Sequence, residues 1–257
     1  NLETKFVAAN SLISIENNRQ ANLQSYVQET IQIERNLKRV RERHFHARTQ
    51  ETKDRCRTED ARLRAKLAVL LEQDGYNPTS ARLLANWNPY DLNRVAGFFD
   101  PKWMFEVDNG FDIVIGNPPY IKEFTSREAF DGVRDSPYYQ GKMDIWYLFA
   151  CKALDQLRSQ TGVLCFIATN NWVTNSGASV MRQEIARRAT MLQLIDFVDH
   201  KIFGSADIQT MILLLRNDEA GAAYSFDLRR LNKHGATFED VEQLLAGLPN
   251  EGLQYLC

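Results

Sequence analysis

The sequence predicts an α/β fold: a sheet covered by helices on both faces, with a long helical hairpin ahead of it. Three observations carry this. Four short apolar runs, at 111–115, 163–168, 192–198 and 208–215, are each bounded by turns or helical stretches. Helical patterns at 146–159 and 178–189 lie between them. A much longer stretch repeats its apolar residues at three- and four-residue steps, from Leu23 to Leu70. Continuous apolar strands alternating with helices are the mark of a sheet buried on both sides.

Residues 5–9 read as a short strand, followed by Asn10-Ser11-Leu12-Ile13. Leu23, Tyr26, Thr30, Ile33, Leu37, Val40 and His44 then share one helical face. After a polar patch at 48–54, Cys56, Leu63, Leu67 and Leu70 do the same, which predicts two amphipathic helices paired antiparallel. Gly75, Asn77 and Pro78 are expected to end the second helix. The aromatic, turn-rich segment 87–110 reads as irregular packed structure. The run 111–116 is expected to be a buried strand. A strand at 224–228 and a helix at 238–246 complete the chain. The expected organisation is an edge strand at 1–14, a hairpin insertion at 15–76, a catalytic half at 77–217 and a C-terminal extension at 218–257.

A chain of 257 residues can bury a sizeable core. Its longest apolar runs are too short to span a bilayer and no secretory signal is visible, so a cytoplasmic protein is expected. The four cysteines are scattered, without metal spacing, and read as reduced thiols. His44 and His46 are two apart on a helix, so their rings point to different faces and no metal site is expected. The formal net charge of -2 hides a basic stretch: residues 35–66 hold 12 Lys/Arg against 5 acids. Such a stretch can contact phosphates, or be a solvated face laced with ion pairs. The first residue is Asn1, so the chain reads as a fragment or a processed product.

The chemistry concentrates at Asn117-Pro118-Pro119-Tyr120, placed directly after the strand 111–115 and Gly116. In open α/β sheets, ligands bind outside the carboxyl ends of strands. Gly116 is expected to allow a tight turn and the close approach of a ligand. Two prolines stiffen the loop. An exocyclic amine on a base or amide is a poor nucleophile because its lone pair is delocalised. The Asn117 side-chain oxygen and the Pro118 carbonyl can both accept hydrogen bonds from such an NH2, which draws the nitrogen toward tetrahedral geometry. A sulfonium methyl donor placed in line then completes the transfer, and positioning and electrostatics supply most of the rate gain. Tyr120 offers an aromatic face for a planar substrate. A base inside a duplex would have to be flipped out to reach it.

On these residues the chain resembles amino-type adenine-N6 DNA methyltransferases of the gamma arrangement, in particular methylase polypeptides of type II and IIG restriction-modification systems. Residues 1–12 resemble their third motif and 110–120 the fourth, with Phe99–Phe105 as lead-in. Gly141–Phe149 resembles the fifth, 162–172 the sixth, and Ile202-Phe203 with 208–215 the eighth. The resemblance implies a partial Rossmann-like methyltransferase sheet, S-adenosylmethionine as donor, and double-stranded DNA with a flipped adenine as partner. It implies that Phe203 presses on the flipped base opposite Tyr120, with core packing as the bland alternative. It places Asp144 in the pocket wall as a cofactor contact. Asn10 stands where the family has an acid against the cofactor's adenine, and the alternative for it is a turn residue. No glycine-rich strand-to-helix turn precedes Asn117, so the loop cradling the donor's methionine end is expected upstream of Asn1. Whether a nuclease or specificity domain is fused stays open. Two other readings remain: a methyltransferase acting on protein glutamine or ribosomal RNA, and a non-catalytic DNA-binding or interaction module.

Overall fold

The computed structural model describes residues 3–15, 24–73, 77–204, 208–219, 224–249 and 253–256. Leu23 and Gly75, both invoked above, lie outside them. The chain divides into two compact units, Asn1–Asp108 and Asn109–Cys257.

The first unit is helical. α1 (Gln24–His46) and α2 (Gln50–Gln73) are joined by three residues, which forces an antiparallel pair. The cross-links show the register: Lys66 pairs with Glu29, Arg43 with Glu59, and Arg41 with Asp60. Ile33, Leu37 and Val40 of α1 meet Cys56, Leu63, Leu67 and Leu70 of α2 in one core cluster, as their periodicity requires. Asn77 and Pro78 do more than end α2. They start a third helix, α3 (Pro78–Asn86), in which Asn77 caps the Thr79 amide and proline takes the first turn, where its missing N–H is harmless. A short α4 (Pro101–Phe105) repeats the device with Asp100 as cap.

No strand forms at residues 5–9. Glu3–Lys5 is a single 3-10 turn, and only Ala9 pairs, with Ala96. A strand persists only where a partner backbone runs alongside it, and the exposed turns of 91–95 give way to Ala96 for one residue alone.

Two arginines of the basic stretch are buried inside this unit, while most of the others are exposed. Asp60, fully buried, accepts from Arg41 Nε at 3.1 Å and Arg64 Nε at 2.6 Å. The Arg41 guanidinium lies between the Trp87 and Trp103 rings, 5.2 and 5.3 Å from their centroids, and donates to the Trp103 carbonyl at 2.8 Å. His44 is buried against the Tyr90 ring, whereas His46 is exposed.

The second unit carries a six-stranded mixed sheet in the order β1-β2-β4-β3-β5-β6. The strands are β1 (Ile113–Gly116), β2 (Val163–Thr169), β3 (Thr190–Asp196), β4 (Thr210–Arg216), β5 (Asp227–Leu231) and β6 (Leu253–Leu256). α5 (Trp146–Gln156) leads into β2 and α6 (Ser179–Arg188) into β3, while α7 (Phe238–Ala246) packs on β5 through Val241, Leu244 and Leu231. β1 is parallel to β2, and β4 inserts antiparallel between β2 and β3. β1, β2 and β3 therefore share one direction, and their carboxyl ends emerge at one edge of the sheet. β3 ends where Asp196 Oδ1 accepts the Val198 amide and Val198 takes a positive φ of 54°, two residues before the apolar run does.

β1 departs from expectation. Ile113 and Ile115 are 67% and 77% exposed, so the strand is not buried. Among the described residues it hydrogen-bonds only to β2 and stands at the sheet's edge. An apolar composition signals strand formation but not which strand ends up last in the sheet.

Candidate functional site

Three loops leave the sheet at the shared edge: 117–121 after β1, Asn170–Val173 after β2, and 197–204 after β3. Side chains tie them together. Tyr120 Oη reaches back to the Ile167 carbonyl of β2 at 2.8 Å and also to Asn117 Oδ1. Asn170 Nδ2 donates to Asp196 Oδ1 at the end of β3, 3.1 Å away. Within the tetrapeptide, Pro118 is buried, Tyr120 half-buried, and Asn117 and Pro119 are exposed. Burial, and secondarily the nearby Asp144 carboxylate, push the Tyr120 phenol up to about 12, so it holds its proton at neutral pH.

Gly116 does not make a turn. It is the last extended residue of β1, and what it accommodates is the Phe166 ring: an added Cβ would lie 3.3 Å from Phe166 Cε1.

Asp144 sits at the start of α5, 2% exposed. Its backbone bridges to Lys122, and the Ile145 amide donates to the Ile121 carbonyl at 2.9 Å, which ties the exit of the tetrapeptide to the helix. Burial raises the Asp144 carboxyl to about 6, against the lowering effects of the Trp146 amide, the Lys122 charge, and the Ile121 and Ile145 amides. Its Oδ2 has no hydrogen-bond partner among the described residues. Between the ordinary value of 3.8 and about 6, the folded chain holds a proton here that the unfolded chain has lost. Stability should therefore fall as pH rises through that window. Asp144→Asn should flatten that slope in denaturation midpoints measured from pH 4 to 7, and an unchanged slope would assign it to other groups.

A polar network that the residue pattern did not assign joins α5 to the segment following β2. Trp146 Nε1 donates to Thr169 Oγ1 at 2.9 Å, and Thr169 Oγ1 donates to Asn171 Oδ1 at 3.1 Å. Asn175 Nδ2 donates to the Tyr147 hydroxyl at 3.3 Å, and its Oδ1 caps the Gly177 amide at 2.9 Å. The only sequence signal for it is the asparagine-rich segment following an apolar strand. Gly177 is there because a Cβ would meet the Lys142 carbonyl oxygen at 2.2 Å. Gly177→Ala should destabilise the unit by about 1–3 kcal/mol in a denaturant titration, since backbone rather than a flexible side chain must give way.

Two candidates remain. Phe203 is half-buried on the loop after β3, next to Ile202, which packs against the β3–β5–α7 cluster. β1 and β3 are three strand spacings apart, about 14 Å, so only the loops can bring Phe203 toward Tyr120. Asn10 belongs to the first unit. Its backbone pairs with Ala96, and its Oδ1 accepts the Leu12 amide at 3.1 Å, which makes it a turn-forming residue whose oxygen keeps one further lone pair.

The family described as Eco57I restriction-modification methylase matches residues 54–203, more than half of the chain. The chain belongs to this family. Among its relatives, the type II methyltransferase M.PaeR7I of Pseudomonas aeruginosa is 27% identical over 166 residues, covering 61% of this chain and 29% of that protein. The type II restriction enzyme and methyltransferase RM.Eco57I of Escherichia coli is 25% identical over 128 residues, covering 48% of this chain and 13% of that protein. The methyltransferase subunit of a type I restriction-modification system from Streptococcus thermophilus superposes with a TM-score of 0.41 at 18% identity, covering 68% of this chain and 39% of that one. The Eco57I-family chain thus spans less than a third of the curated relatives it matches. Its mixed α/β sheet agrees with the fold class expected from the sequence. Among the described residues, no helix is long and apolar enough to cross a membrane.

Proposed function

We propose that this chain supplies the acceptor half of a site-specific adenine-N6 DNA methyltransferase belonging to a restriction-modification enzyme. The observation that carries the reading is the Asn117–Tyr120 loop at the carboxyl end of β1, anchored through Tyr120 Oη to β2 in a chain of the Eco57I methylase family. S-adenosylmethionine supplies the methyl group as an electrophilic sulfonium carbon. The chain's residues fit one side of such a donor. Asp144 offers an unpartnered carboxylate oxygen in the wall beside the loop, while no glycine-rich strand-to-helix turn stands in the sequence before Asn117.

On the acceptor side, Asn117 Oδ1 and the Pro118 carbonyl accept the two hydrogens of the adenine amine. The nitrogen lone pair, no longer delocalised into the ring, would then be aimed at the electrophilic methyl carbon that a bound sulfonium donor would supply. The methylated nitrogen then releases its extra proton to solvent, and no strong base is needed. Tyr120 stacks on the extruded base, Phe203 closes on it from the loop after β3, and Asp144 faces the donor. The partner is double-stranded DNA.

The test is methyl transfer by the full-length parent protein, with labelled donor and either duplex DNA or release-factor protein as acceptor. Label at adenine N6 is expected. Label on the protein alone would move the activity to glutamine, and label on neither would leave the chain a non-catalytic module.

A further inference from the structure

Tyr120 Oη stands between two acceptors, the Ile167 carbonyl at 2.8 Å and Asn117 Oδ1. The phenol carries one proton, and one proton cannot fully serve both. The two acceptors are not equivalent. The Ile167 carbonyl belongs to the backbone of β2 and cannot turn away. The Asn117 amide, exposed at its end, can rotate about its last side-chain bond and exchange Oδ1 for Nδ2.

With the proton on the Ile167 carbonyl, the phenolic oxygen faces Asn117 with its lone pairs. Only the Nδ2 side of the amide can meet them. Oδ1 then turns outward, toward an arriving amine, and every donor and acceptor of the trio is satisfied. With the proton on Oδ1, the amide's acceptor is capped by the protein itself and the Ile167 carbonyl loses this donor.

Resting on the reading that Asn117 accepts a substrate amine, we propose that the Tyr120 hydroxyl is a positioning group which, anchored on the Ile167 carbonyl, sets whether Asn117 presents oxygen or nitrogen to the substrate. The ring stays where it is and no covalent bond changes. A half-turn of one amide carries the site from capped to open. The stacking role of Tyr120 needs only the ring, so its hydroxyl has a separate function. A carboxylate at position 117 would present oxygen on both sides and would need no such selection.

The experiment is a double-variant cycle in the full-length parent protein. Tyr120→Phe keeps the ring and removes the hydroxyl. In the Asn117 background it should lower kcat about tenfold, the worth of one hydrogen bond, with KM for DNA little changed. In the Asn117→Asp background, taken as its own reference, the same change should cost less than about twofold. Equal losses in both backgrounds, or no loss with Asn117, would overturn the proposal. A second readout needs no turnover. The Asn117 side-chain NH2 proton that meets the Tyr120 oxygen should shift upfield and lose protection from solvent exchange in Tyr120→Phe, and unchanged shifts and exchange would overturn it. If the wild type methylates no DNA, the functional reading fails while this spectrum still reports on the positioning contact.

Discussion

Asn117→Ala should lower kcat for adenine methylation by about 10²–10³-fold in the full-length parent, with little change in KM for DNA. The size follows from removing one preorganised hydrogen-bonding group from a site that stabilises charge developing at the reacting atom. The split follows from timing: the amine grips Oδ1 hardest as its lone pair leaves the ring, so the interaction belongs to the transition state more than to the bound ground state. Asn117 is exposed, and alanine there buries no unsatisfied group, so the thermal midpoint should not move. Single-turnover kinetics with labelled donor and a duplex carrying one target adenine would measure it. A loss confined to KM would reassign Asn117 to binding, and a loss below threefold would remove it from the chemistry.

The largest stability effect is expected in the other unit. Asp60→Ala should destabilise the helical unit by about 3–5 kcal/mol, because it strips the shared carboxylate from two buried guanidiniums. Arg41 and Arg64 both donate to Asp60, and neither can be deprotonated. Arg41 keeps the Trp103 carbonyl and two tryptophan faces, and Arg64 keeps the Ala85 carbonyl at 2.6 Å, but no anion remains. Urea unfolding followed by tryptophan fluorescence suits this unit, since Arg41 lies against both Trp87 and Trp103. Replacing all three charged residues by apolar ones of similar volume should recover much of the loss. A single-variant loss under 1 kcal/mol would mean that water reaches the cluster.

The residue pattern showed the hairpin, α5, α6, α7 and the runs of β2, β3 and β4 closely, because each is written in a local period that one apolar face imposes. The loop at 117–120 stood out for a different reason: the chemistry proposed for it needs an amide, a rigid turn and an aromatic ring in one short stretch. The features that escaped all depend on what comes alongside. Residues 5–9 have the composition of a strand and lack a partner running beside them, while β1 has the composition of a buried strand and stands at an edge. Most of the basic stretch is the solvated face with ion pairs that its sequence suggested, and only the burial of Arg41 and Arg64 on Asp60 was not legible.

The sequence by itself determined most of the helices and strands of the hairpin and the sheet, and the family to which the chain belongs. The tertiary structure alone decided that Tyr120 anchors on the Ile167 carbonyl, that Asp144 is buried with a raised pKa, and that Gly116 makes room for the Phe166 ring and Gly177 for the Lys142 carbonyl. The division has one physical cause. Propensity and periodicity act between residues a few positions apart and are written in order along the chain. Burial, strand order and the direction of a shared proton depend on groups that only the folded backbone brings together, such as Tyr120 and Ile167, 47 positions apart.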